Sequence, residues 1–175
     1  METHPAGSHC YHGPSRPRFH PNPERLALPK RISLVMLDDS PPALYGVVSR
    51  LRAQPGLDVV AVSGRPAQAL RRTHEVKPRL ALLHIPRDRG RLALVSAFHR
   101  AAPEALLVLM GLAPVHRDLA SLIRARISGF VMADAEFGTL LTTLYLVAAG
   151  MKVLPPELIG SLFRQLHAGG GRRVA

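Results

Sequence analysis

Acidic residues are scarce in this chain: twelve Asp and Glu stand against 23 Lys and Arg, for a formal net charge of +11. A surplus of that size brings nucleic acid and acidic membrane surfaces into consideration. The charge is spread, however, with +3 on residues 1–31, +6 on residues 32–168, and Arg172 and Arg173 beyond. Aromatics are also few. Three Tyr and five Phe occur, none interleaved with basic residues, so the stacking platform of a single-strand binder is missing. The lone Cys10 excludes an internal disulfide. No basic region followed by an apolar segment stands at the N-terminus to act as a secretory signal. The apolar stretches near 105–115 and 140–149 are too short, or too broken by Thr and Pro, to span a bilayer. The expectation is a cytoplasmic protein with no membrane partner.

What is present is a core. Hydrophobic residues make up 47% of 175 positions, enough for one domain that folds alone. Residues 1–31 hold six prolines with His4, His9, His12 and His20 and show no period of two or 3.6, which reads as a disordered tail. His9, Cys10 and His12 could ligate a soft metal, but the spacing matches no closed four-ligand site. The solvated tail is the expected reading.

From Ile32 the texture alternates. Residues 32–37 form an apolar run ending on Asp38 and Asp39, and Ser40 caps a helix entered through Pro41 and Pro42, with Leu44, Val47, Val48 and Leu51 on one face. Strands are expected at 57–62, 80–85, 106–110 and 130–132, and helices from Pro66 to Val76, to about Ala102, from about Val115 to Gly129, and over 136–149. Helix 4 should turn Leu119, Leu122, Ile123 and Ile127 inward. Leu154-Pro155-Pro156-Glu157 starts a sixth helix to about His167, and residues 169–175 read as a second disordered tail. Strand–helix units joined by short loops require parallel strands and right-handed crossovers. The expected fold is therefore α/β: a doubly wound five-stranded parallel sheet of order 2-1-3-4-5, spanning residues 32–150, with a C-terminal helical extension at 151–168. Strands 1 and 3 flank the switch point of such a sheet, which brings Asp38, Asp39 and His84 to one crevice.

Three stretches carry a resemblance: Leu37-Asp38-Asp39-Ser40-Pro41; Gly129-Phe130-Val131-Met132-Ala133-Asp134-Ala135; and Val147-Ala148-Ala149-Gly150 followed by Leu154-Pro155-Pro156-Glu157-Leu158. Over about residues 31–166 the chain resembles the CheY-like receiver domains of two-component response regulators, in particular the NarL/FixJ subgroup. The 45-residue separation of Asp39 and His84 is the one that subgroup uses between its acidic pair and its phosphoacceptor aspartate. The resemblance implies an acidic pair holding Mg²⁺, an aspartate nucleophile after strand 3, a Thr or Ser after strand 4 and a Lys after strand 5. Such groups position the phosphoryl oxygens and balance their charge. This chain keeps only the pair: His84 stands at the nucleophile position, Gly111 at the hydroxyl position and Ala133 at the lysine position.

The acidic pair has two readings, a vestigial cation site or carboxylates paired with the imidazole. Exchanging a carboxylate for imidazole removes an oxygen ligand that Mg²⁺ needs, so a metal-free pair is expected, with Mg²⁺ binding weak or absent and no cofactor. Phe130 matches the family's aromatic switch; its other reading is a half-buried aromatic over the sheet edge. Fewer than ten residues follow the sixth helix, so direct helix-turn-helix DNA binding is not expected.

The resulting expectation is a stand-alone pseudo-receiver, not an enzyme, that works by protein contact through the helix 4–strand 5–helix 5 face, including Arg117, Arg124, Phe130 and Tyr145. Its partner would be a sensor kinase, another response regulator or a second copy. A basic nucleic-acid-associated regulator is the alternative, and an enzyme using His84 as phosphoacceptor or base ranks behind both.

Overall fold

The computed structural model describes residues 31–38, 41–85, 90–114 and 117–170. The two tails (residues 1–30 and 171–175), Asp39 with Ser40, the loop at 86–89 and residues 115–116 lie outside the described residues, as do the side chains of residues 41–45, Leu44 among them, and 168–170. In chain order the elements are β1 (Ile32–Asp38), α1 (Pro41–Arg52), β2 (Leu57–Ser63), α2 (Pro66–Val76), β3 (Leu80–His84), α3 (Arg91–Ala101), β4 (Leu106–Leu112), α4 (Leu119–Arg124), β5 (Gly129–Met132), α5 (Phe137–Ala148) and α6 (Pro156–Gly170).

The five strands form one parallel sheet in the order β2-β1-β3-β4-β5, as the alternating pattern predicts. β1 and β3 are buried along almost their whole length, the signature of strands covered on both faces. Alternate residues feed two cores. On one face Leu34, Met36 and Leu82 pack with Leu51 of α1 and Leu144 and Val147 of α5. On the other, Leu37, Leu83 and Leu107 pack with Ala69 of α2, Phe98 of α3, Leu122 of α4 and Leu158 of α6.

Local chemistry sets the ends. Pro66 opens α2 after an extended Arg65, and Lys77, left-handed at φ 43°, closes it by donating its N–H to the Thr73 carbonyl. Gly129 belongs to β5 and does not end the preceding helix. A Cβ there would lie 2.7 Å from Val147 Cγ2, so the absence of a side chain is what lets α5 approach β5.

Three features depart from the sequence-based reading. α4 spans six residues and stops before Arg126, which adopts φ 65°; Ile127 is buried outside the helix and Ile123 stands 37% exposed. Gly111 lies inside β4, not beyond it, where the register to β5 slips between Met110 and Leu112. α6 continues to Gly170 and packs against α4. There Ala120 N–H donates to Gln165 Oε1 (2.9 Å). Val153 adds a parallel bridge to Gly129 beyond the sheet edge. Among the described residues, no helix is long and apolar enough to cross a membrane.

Candidate functional site

Asp38 ends β1 and His84 ends β3, and the parallel register pairs them directly. Their side chains meet. His84 Nδ1–H donates to Asp38 Oδ1 at 2.7 Å, with Asp38 buried at 1% and the imidazole 19% exposed. An acceptor this close fixes the ring's tautomer and orientation. The opposite edge of the ring, Cδ2 and Nε2, lies over Gly111.

Gly111 has φ +83°, and a Cβ built on it would overlap Cδ2 and stand 2.5 Å from Nε2. Only glycine meets both demands, a left-handed backbone and an empty space for the ring. Ala133 follows β5 with its N–H bonded to the Leu112 carbonyl (2.9 Å) and its side chain exposed. The crevice thus gathers Asp38, His84, Gly111 and Ala133 around one cavity of about 400 Å³, otherwise lined mainly by apolar residues such as Val47, Met110 and Leu140. Asp39 lies outside the described residues.

Two arginines belong to this region that pattern reading missed. Arg50 of α1 holds its guanidinium 3.9 Å from the centre of the Phe137 ring, and both residues line the cavity. Arg91, 3% exposed at the start of α3, donates through Nε (3.2 Å) and Nη2 (2.7 Å) to the Ile85 carbonyl. It anchors the residue after His84. A basic residue just behind Gly90 carries no motif, and only its burial reveals the role.

The residues described do not fit Mg²⁺. The ion demands near-ideal octahedral oxygen ligation, whereas Asp38 Oδ1 is engaged by the His84 imidazole. Among the described residues no group of three His, Cys, Asp or Glu side chains converges.

The expected interaction face does not assemble as one surface. Phe130 is 3% exposed and part of the core beneath α4 and α6, so it is a packing residue and not a half-buried cover. Tyr145 packs on the other face of the sheet, in the cluster of Ile32, Leu51 and Leu57, with its hydroxyl toward Gly56; burial raises its phenol above the ordinary value. Arg117 and Arg124 are exposed, and Arg124 donates to Ser121 Oγ at 3.1 Å.

The sheet order and the crevice at the ends of β1 and β3 decide the fold. It is the fold of a response-regulator receiver domain. The crystal structure of a two-component response regulator of the LuxR family from Aurantimonas sp. SI85-9A1 superimposes with a TM-score of 0.67 at 17% identity, covering 78% of this chain and 99% of that one. The signal receiver domain of the response regulator NarL from Mycobacterium tuberculosis gives 0.61 at 22% identity over 70% of this chain and 99% of its own. RcsB from Salmonella enterica serovar Typhimurium, bound to promoter DNA in the presence of beryllofluoride, gives 0.68 at 18% identity over 83% of this chain and 72% of its own. By sequence, the chain is 23% identical over 136 residues to the transcriptional regulatory protein LnrK of Bacillus subtilis, a match that covers 77% of this receiver-fold chain and 61% of that relative. No protein-family model matches.

Proposed function

We propose that this receiver-fold protein is a signalling or transcriptional-control module that acts through protein contact and is not switched by aspartyl phosphorylation. One observation carries the reading: at the position expected for the phosphoacceptor stands His84, bonded to Asp38 and seated over Gly111. A phosphoryl group there would need a nucleophilic carboxylate, a hydroxyl and a cation to receive its charge. The chain offers an engaged imidazole, a glycine and an alanine. In this reading the protein is not an enzyme, it works without Mg²⁺ in the cytoplasm, and its partner is a sensor kinase or another response regulator.

The test is a titration with beryllofluoride and Mg²⁺, a phosphoryl mimic, followed by amide NMR. The Gly111, Leu112 and Ala133 signals are expected to stay in place. A saturable shift of these amides, propagating to β5 and α5, would contradict the proposal.

A further inference from the structure

The groove between α4, α6 and the outer edge of the sheet has a charged end and an apolar end. Its cavity measures about 660 Å³, within the range of small-molecule sites. The segment at 152–154 runs parallel to β5: Val153 N–H donates to the Ser128 carbonyl (3.0 Å), and the Val153 carbonyl accepts from Phe130 N–H (3.0 Å). Side chains alternate along such a pair. Lys152 therefore stands beside Ser128, and one step further along the groove Leu154 stands beside Phe130.

At the charged end Lys152 Nζ donates to Ser128 Oγ at 3.0 Å. Arg126 belongs to the same end, since its charge and that of Lys152 both act on His99. Neither cation has a carboxylate partner among the described residues, and no carboxylate lines the groove. Ser128 is 4% exposed; its oxygen accepts from Lys152, and its hydroxyl proton has no acceptor among the described residues. Two cations and a free hydroxyl proton suit one carboxylate, which can accept from all three.

Beyond that end the wall is hydrocarbon. Ile123 of α4 and Leu162 of α6 join Phe130 and Leu154 there. An aliphatic chain makes no polar demand on such a wall, whereas an extended peptide would bring amides to it with no partner.

We infer that this groove binds a free fatty acid, with the carboxylate at Arg126, Ser128 and Lys152 and the chain along the apolar wall. This does not rest on the reading of the Asp38–His84 crevice. Isothermal titration calorimetry of the full chain with dodecanoate, below its micellar concentration, is expected to give one saturable site. Decanoate should bind about five- to fifteenfold more weakly, because two fewer methylenes enter the groove. Dodecyltrimethylammonium, the same chain under a positive head, should bind weaker than dodecanoate by about tenfold or more.

Lys152→Gln and Arg126→Gln should each weaken dodecanoate by about three- to tenfold without weakening the ammonium compound. Ile123→Glu, at a position already 37% exposed, sets a like charge in the groove and should abolish binding of the acid with an unchanged circular dichroism spectrum. Phe163→Glu is the control. Its ring is 58% exposed on α6 and does not line the groove, so binding should be unchanged.

The absence of saturable dodecanoate binding would overturn the inference. So would equal affinity for the ammonium head, which would leave the cations no part in recognition. Loss of binding in Phe163→Glu but not in Ile123→Glu would place the acid on the bare face of α6 instead. Binding to phosphatidylglycerol vesicles without binding of the free acid would overturn it in favour of a membrane surface.

Discussion

The imidazole of His84 fills the space in which a side chain at Gly111 would stand. The ring is held from its far side by Asp38 and cannot swing away without breaking that bond, so positions 38, 84 and 111 behave as one unit. Neither the histidine nor the glycine can be exchanged alone without disturbing the other.

Gly111→Ala is therefore expected to cost about 1–3 kcal/mol, from a left-handed backbone and from overlap with the ring. In a His84→Ala background the overlap vanishes and only the backbone strain remains. A double-mutant cycle by urea denaturation should give a coupling of about 0.5–2 kcal/mol between the two positions. Equal costs in both backgrounds would mean that the ring does not press on residue 111.

Arg91→Met should destabilise by about 2–4 kcal/mol, because it removes two charge-assisted bonds from a buried guanidinium to the Ile85 carbonyl. The effect should also reach the crevice, since Ile85 follows His84 directly. Urea midpoints measure the first consequence, and the His84 imidazole NMR signals the second. A loss below about 0.5 kcal/mol, the range of an ordinary surface change, would show that Arg91 is not the anchor of β3.

His99 gives a pH dependence. Its Nε2–H donates to the Ala125 carbonyl at 2.9 Å, and its buried Nδ1 has no hydrogen-bond partner among the described residues. Burial lowers its pKa below 6.5; the Ala125 carbonyl opposes the shift, while the positive charges of Arg126 and Lys152 add to it. The folded state thus prefers the neutral ring more than the unfolded state does. The stability this contributes is fully present above the unfolded value of about 6.5 and is lost as pH falls from there through the lowered folded value. His99→Gln retains a donor for Ala125 and should flatten the stability-versus-pH curve in that window relative to wild type. Parallel curves for the two proteins would show that His99 contributes no such linkage.

Much of this was legible in the sequence, and for identifiable reasons. The apolar run at 32–37, followed by Asp38, and the run at 80–85, which carries His84 next to its end, fixed two buried parallel strands, and parallel topology alone then sets Asp38 beside His84. The bulge at Gly111 was hidden, because one extra residue in a short apolar strand leaves the pattern unchanged; the register to β5 exposes it. α4 appeared longer because Ile127 continues an i, i+4 pattern from Ile123, but the left-handed Arg126 breaks the helix between them. The burial of Phe130 and the far-side packing of Tyr145 depend on which elements cover β5 and α5. The covering of Phe130 by α6, in particular, is a tertiary contact that local periodicity does not encode.

The most direct measurement is intact-mass spectrometry of the chain after incubation with acetyl phosphate and Mg²⁺, beside His84→Asp treated in the same way. The wild-type mass should remain unchanged, and the aspartate variant, still without a hydroxyl at Gly111 or a lysine at Ala133, should phosphorylate poorly. A wild-type chain that gains one acid-labile phosphoryl group, on His84, Asp38 or Asp39, would contradict a receiver fold freed from phosphorylation.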